Sequence, residues 1–245
     1  MRKGKDFITS PKTKGEGKDF LVTFILLSEN HGYRMKSKGA IPLVDINGKS
    51  LIERQVEAIK AVFSNFEIII CCGYDSKKVF DFVKSKFKNV NIRIVENQVY
   101  ENSNCCESAR IALNNTVNNR IFIMNGSLLV TPQHLSEIDW NKTCLLTQEN
   151  RKLDDFEIGV VSHNNVIQNI SLGLKSKKWL DSFYLYGEND VRLFHNMISS
   201  IEFKNRFLFE AVGRMIEEVE VKDVEIVKTK TYKIHNIKSL MRLDK

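Results

Sequence analysis

Proline and glycine are scarce in this chain, at 3 and 12 of 245 residues. That leaves little room for long flexible linkers and none for collagen-like repeats. Cysteine occurs as Cys71-Cys72, Cys105-Cys106 and a lone Cys144, an odd count with no C-x-x-C and no Cys/His ligand spacing. Neither a disulfide framework nor a zinc site is indicated. No run approaches the roughly 18 apolar residues that a membrane helix needs, and the charged N-terminus is not followed by the apolar core of a signal segment. The expectation is a protein made in the reducing cytoplasm with no membrane partner. What is present is ordinary globular composition, 42% hydrophobic and 27% charged, which excludes disorder of the whole chain.

The formal net charge is +7. Residues 1–19 hold six basic side chains against three acidic ones, so the other 226 residues carry only +4. Sequence-specific nucleic-acid binding needs basic residues gathered on one folded face, and it is not expected here. In residues 1–19 only Phe7 and Ile8 are large and apolar, too little burial to offset the entropy of ordering. They read as a basic, flexible arm suited to docking on a protein partner or larger assembly. Residues 20–245 read as one domain.

Phe20 to Leu27 (FLVTFILL) is continuously apolar, as in a strand covered on both faces. A helix over Ser50 to Phe63 follows, with Ser50 and Glu53 spaced as a capping box. Strand signals recur at Phe66 to Cys72, Asn91 to Val95 and Arg120 to Met124, with helical segments at Ser76 to Phe87 and Ser103 to Asn114 between them. Such alternation predicts βαβ units. Further strands are expected at Thr143 to Gln148, Glu157 to Ser162, Val166 to Ile170 and Val224 to Lys228, and helices at Asp190 to Ile201, Arg206 to Glu218 and near Lys238 to Arg242. Lys175 to Trp179 (KSKKW) reads as a solvated loop. The fold class expected is α/β and Rossmann-like, with a mostly parallel mixed central sheet flanked by helices.

Ligands of open α/β sheets bind beyond the carboxyl ends of the strands. Those positions are Ser28 to Met35, Gly73-Tyr74, Asn97 to Ser108 and Asn125 to Ser127. In the first loop Asn30 and Gly32 tolerate positive φ, so backbone N–H groups can face a phosphate with Arg34 as counter-charge. His31, His134, His163, His195 and His235 are scattered and build no Ser/His/Asp or Cys/His device.

Read together, these segments resemble the nucleotidyltransferases that join a nucleoside triphosphate to a sugar phosphate or phosphocholine. The family's A-A-G-x-G-x-R-M is met by S-E-N-H-G-Y-R-M at Ser28 to Met35, its K-P-L by Ile41 to Leu43, and its G-k-p-L-I-e-r-q helix start by G-K-S-L-I-E-R-Q at Gly48 to Gln55. Gly73-Tyr74, then Asn97, Tyr100, Ser103, Asn104 and Ser108, then Asn125-Gly126-Ser127, Phe209 to Ala211 and Tyr232 to Leu240 fall in the family's order. The resemblance implies the nucleotidyltransferase fold over nearly all of residues 20–245. It places Ser28, Asn30, Gly32, Tyr33, Arg34, Lys38, Asn104 and Ser108 at a nucleotide, with Lys38 standing in for the K-P-L lysine. Tyr100, Asn104 and Ser108 read equally well as cap and packing of the third helix.

The departures set the functional expectation. The lysine position of K-P-L holds Ile41 and the aspartate position of N-G-D holds Ser127, while the closing D-I-D carboxylates align with Lys233 and His235. Magnesium is a hard ion held by carboxylates and substrate phosphates. A pseudoenzyme is therefore expected: no catalytic residues, no metal site and no cofactor, acting as a binding or assembly module with a nucleotide as a candidate ligand. Two alternatives are an active NTP-dependent transferase using Mg and NTP, with Asp45 or Asp223 as substitute carboxylates, and a structural component of a virion or other large assembly.

Overall fold

The computed structural model describes residues 18–30, 35–149, 157–227, 231–234 and 236–241. Of the N-terminal arm, only Lys18 and Asp19 fall within these. Strand β1 (Val22–Ser28) is buried along its whole length, as its unbroken apolar run requires. A small hairpin, β2 (Asp45–Ile46) and β3 (Lys49–Ser50), precedes helix α1 (Leu51–Lys60). Ser50 caps that helix and Glu53 returns a hydrogen bond to the Ser50 N–H at 2.9 Å, so the expected capping box forms. Strand β4 (Phe66–Cys72), helix α2 (Ser76–Lys86), strand β5 (Ile92–Glu96), helix α3 (Cys105–Leu113) and strand β6 (Arg120–Asn125) complete the first half. All of its main strands are parallel, in the order β5-β4-β1-β6.

The second half departs from expectation. After β7 (Leu128–Leu129) and α4 (Pro132–Ser136) come β8 (Cys144–Gln148), β9 (Ile158–His163), β10 (Val166–Leu172) and β11 (Lys177–Tyr186). Helices α5 (Glu188–Ile198) and α6 (Leu208–Met215), strands β12 (Lys222–Glu225) and β13 (Tyr232–Lys233), and helix α7 (Ile237–Met241) follow. Strand β11 runs antiparallel to β6 and extends the sheet, and β11-β8-β12-β10-β9 closes on itself because β9 also pairs with β11. The sheet is thus mixed rather than mostly parallel, with a closed barrel at one end. Most pairings of the second half are antiparallel, as where a tight turn joins His163 to Val166, while β12 runs parallel to β8 after helices α5 and α6.

The segment read as a solvated loop, Lys175 to Trp179, enters the longest strand of the sheet, β11. Trp179, Phe183 and Leu185 pack on one face of that strand, and Leu180 and Tyr184 on the other. Because both faces of this strand are covered, its sequence shows no apolar/polar alternation; its register against β8 shifts between Trp179 and Phe183.

Side chains fill both faces of the sheet. On the α1 and α2 face, Phe24, Phe63, Phe122 and Tyr184 surround Trp140, whose ring lies edge-on to Phe63 at 4.8 Å between centroids. The other face is covered by α3, α5 and α6. A third, smaller cluster joins Met35, Ile41, Val44, Ile46 and Leu51 to Ile234 and Leu240 of the closing segment. The chain enters the fold where Lys18 N–H bonds to the Val62 carbonyl at 2.8 Å, on the amino-terminal side of the parallel strands. Among the described residues no helix is long and apolar enough to cross a membrane.

Candidate functional site

The carboxyl ends of β1, β4, β5 and β6 are drawn together by specific backbone bonds. Tyr74 N–H bonds to the Glu29 carbonyl at 2.9 Å, Asn97 N–H to Cys72 at 2.8 Å, and Gly126 N–H to Leu27 at 2.7 Å. Two glycines are required by these approaches. A Cβ at Gly73 would lie 2.5 Å from the Tyr100 ring, and one at Gly126 would lie 1.8 Å from Ser28 Oγ.

Asn97 is fully buried, and its amide donates to Ser103 and to Ser108, each at 3.0 Å. The Glu29 Oε1 accepts from the Asn30 amide at 3.5 Å. Asn104 caps α3, accepting from Cys105 N–H at 2.8 Å. Ser28, Asn97, Ser103, Asn104 and Ser108 are therefore brought to one end of the sheet. Asn30 is exposed beside them and Lys38 is exposed on the 36–38 turn. Gly32, Tyr33 and Arg34 lie outside the described residues.

Glu29 is the residue that sequence reasoning overlooked. It stands where the resembled motif has alanine, yet it is 5% exposed and its Oε2 has no hydrogen-bond partner among the described residues. Burial pushes this carboxyl above the ordinary carboxylate range, against the opposing effect of its own backbone and of Ser108. A buried carboxyl with a raised pKa therefore lies at this end of the sheet.

The opposite wall comes from the second half of the chain. Strand β13 pairs with β7, Lys233 opposite Leu128, and Ile234 N–H bonds to the Ser127 carbonyl at 2.9 Å. Ser127 and Lys233, 106 positions apart in the numbering, are thus neighbours. The Ser127 hydroxyl is tied to Asn125 Oδ1 at 2.6 Å, and Gln55 donates to the Gly126 and Leu128 carbonyls at 3.0 and 2.8 Å. Lys233 Nζ pairs with Asp181 Oδ2 at 2.8 Å. Burial above all pushes the nearby Cys105 thiol up to about 12, and the Asp181 charge adds to the shift.

Two positions weighed as substitutes for lost carboxylates are committed elsewhere. Asp223 is wholly buried within the barrel strands, accepting from Thr147, Ser162 and Lys177. Asp45 closes the β2–β3 turn, accepting from Gly48 N–H at 3.1 Å. Ile41 is 4% exposed in the third apolar cluster rather than facing a ligand. Among the described residues no three His, Cys, Asp or Glu side chains converge as metal donors.

A parallel four-strand half and an antiparallel extension closed into a barrel define the class: the chain has the nucleotidyltransferase fold. It superposes on the CTP:phosphocholine cytidylyltransferase of Streptococcus pneumoniae with a TM-score of 0.76 at 21% identity, over 91% of this chain and 97% of that one. The inositol-1-phosphate CTP transferase of T. maritima gives 0.72 at 16% identity, over 94% and 96%. A UDP-glucose pyrophosphorylase complexed with UDP-glucose gives 0.75 at 9% identity, over 92% and 97%. No family model matches the chain, and no curated protein matches it in sequence.

Proposed function

We propose that the chain is a non-catalytic nucleotidyltransferase-like module that binds a nucleotide or a related phosphorylated ligand in the strand-end cleft without a divalent metal. One observation carries the reading. Positions 127 and 233, where the resemblance places metal-holding aspartates, lie on the paired β7 and β13 segments, one register step apart, and they carry a serine bonded to Asn125 and a lysine paired with Asp181. An ammonium at that point repels a second cation and attracts phosphate. The structural neighbours are by name a CTP:phosphocholine cytidylyltransferase, an inositol-1-phosphate CTP transferase and a UDP-glucose pyrophosphorylase complexed with UDP-glucose, so a pyrimidine nucleotide or its diphospho-conjugate is the first ligand to try.

Thermal unfolding with each NTP, in Mg²⁺ and in EDTA, tests the proposal. A ligand at 100 times its Kd stabilises by about 2.7 kcal/mol, and equal shifts in both buffers are expected. Release of pyrophosphate from an NTP with any sugar phosphate or phosphocholine overturns the non-catalytic reading.

A further inference from the structure

Asp181 has a backbone φ of +50° inside a strand, a conformation that L residues other than Asn and Asp rarely accept. It lies in the stretch between Trp179 and Phe183 where β11 loses register with β8, and such bulges redirect a side chain away from the pleat. The redirected carboxylate meets Lys233 across 52 positions. Other long-range ion pairs are Lys86–Glu53, Arg93–Glu67 and Lys178–Glu157, but none of their acidic partners has a positive backbone φ. The Lys177–Asp223–Glu225 cluster is a different case, with Asp223 at zero side-chain exposure and fully bonded. In the Lys233–Asp181 pair both side chains keep partial access to solvent, 33% and 24%.

We infer that Lys233 is the anion-binding cation of the cleft and that Asp181, held on its strained bulge, is a competing carboxylate that masks it until a phosphorylated ligand takes its place. The inference rests on the reading of the cleft as a phospho-ligand site. A part-exposed pair is weak enough to be exchanged, and phosphate offers the ammonium a more highly charged acceptor than one carboxylate. The bulge keeps the displaced carboxylate in place to re-form the pair when the ligand leaves. Asp181 thereby sets the affinity of the site without being required for it.

The test uses the full chain in EDTA with inorganic pyrophosphate and CTP as probes, read by calorimetry. Asp181→Asn is suited to the task because asparagine also accepts a left-handed backbone. It is expected to tighten pyrophosphate binding about fivefold, the scale of a part-exposed pair. Lys233→Met, which retains the aliphatic stem, is expected to lose at least that much. Wild type that binds while Asp181→Asn binds equally or more weakly overturns the masking role and leaves the proposed function standing. Wild-type affinity unchanged in Lys233→Met overturns the role of the lysine. Absence of binding in wild type and in Asp181→Asn alike overturns the proposed function itself, and with it this inference.

Discussion

Ile41 offers a direct separation between a vacant catalytic socket and a remodelled one. If the position were a socket that had only lost its lysine, Ile41→Lys would be tolerated and would strengthen nucleotide binding. The structure assigns the opposite outcome. Ile41 is 4% exposed and packs with Met35, Val44, Ile46, Leu51, Ile234 and Leu240, tying the 35–51 loop to the closing segment. Truncation to alanine in a core costs about 2–5 kcal/mol; because this cluster is small and able to relax, the low end, about 2–3 kcal/mol, is expected. Lysine loses the same contacts and adds an ammonium with no partner there, so its cost is at least as large. With a urea m-value of about 2–3 kcal/mol/M, the midpoint falls by roughly 1 M in either variant. Trp140 and Trp179, 2% and 3% exposed, report the transition by fluorescence. Ile41→Met, near in volume, is expected to cost less than about 1.5 kcal/mol. An Ile41→Lys protein with a wild-type midpoint, or with tighter nucleotide binding, refutes the argument.

Two pH dependences follow from buried groups. Glu29 has its folded pKa raised by burial above the ordinary 4.5, so its contribution to stability is fully present below that value and is lost as pH rises through the folded pKa. Glu29→Gln should therefore gain on wild type in urea melts from pH 4.5 upward, and a constant difference across pH 4 to 9 would sink the assignment. His134 has the opposite sign. Its Nδ1 accepts from Thr131 N–H at 3.1 Å, and burial lowers its pKa from 6.5 to about 4. Its contribution is present above pH 6.5 and is lost as pH falls toward 4. His134→Gln keeps a side-chain acceptor at the third helical position, as in a capping box; it should flatten the stability profile between pH 6.5 and 4, and an unchanged acid limb would count against this account.

The order of strands and helices in the first half, the Ser50–Glu53 cap and the apolar β1 were all legible in the sequence. Each is written in contacts between residues a few positions apart, through side-chain periodicity and the local hydrogen-bond needs of helix ends. The resemblance in the ordered fragments from Ser28 to Leu240 likewise reached the fold, since those fragments mark turns whose geometry is locally specified. What lay beyond that reach is non-local. The start of β11 looked like a solvated loop because Lys177 and Lys178 are charged and its partners β6, β8 and β9 are distant in sequence. Barrel closure depends on which distant strand accepts each edge. Ile41 was recognisable as a missing lysine but not as the centre of an apolar cluster with Ile234 and Leu240. Sequence alone showed that Ser127 and Lys233 stand where the resemblance expects acidic residues. Only the tertiary structure put their strands next to each other, set Asp181 against the lysine and buried Glu29 at the strand ends, because opposition, burial and desolvation are properties of the packed chain.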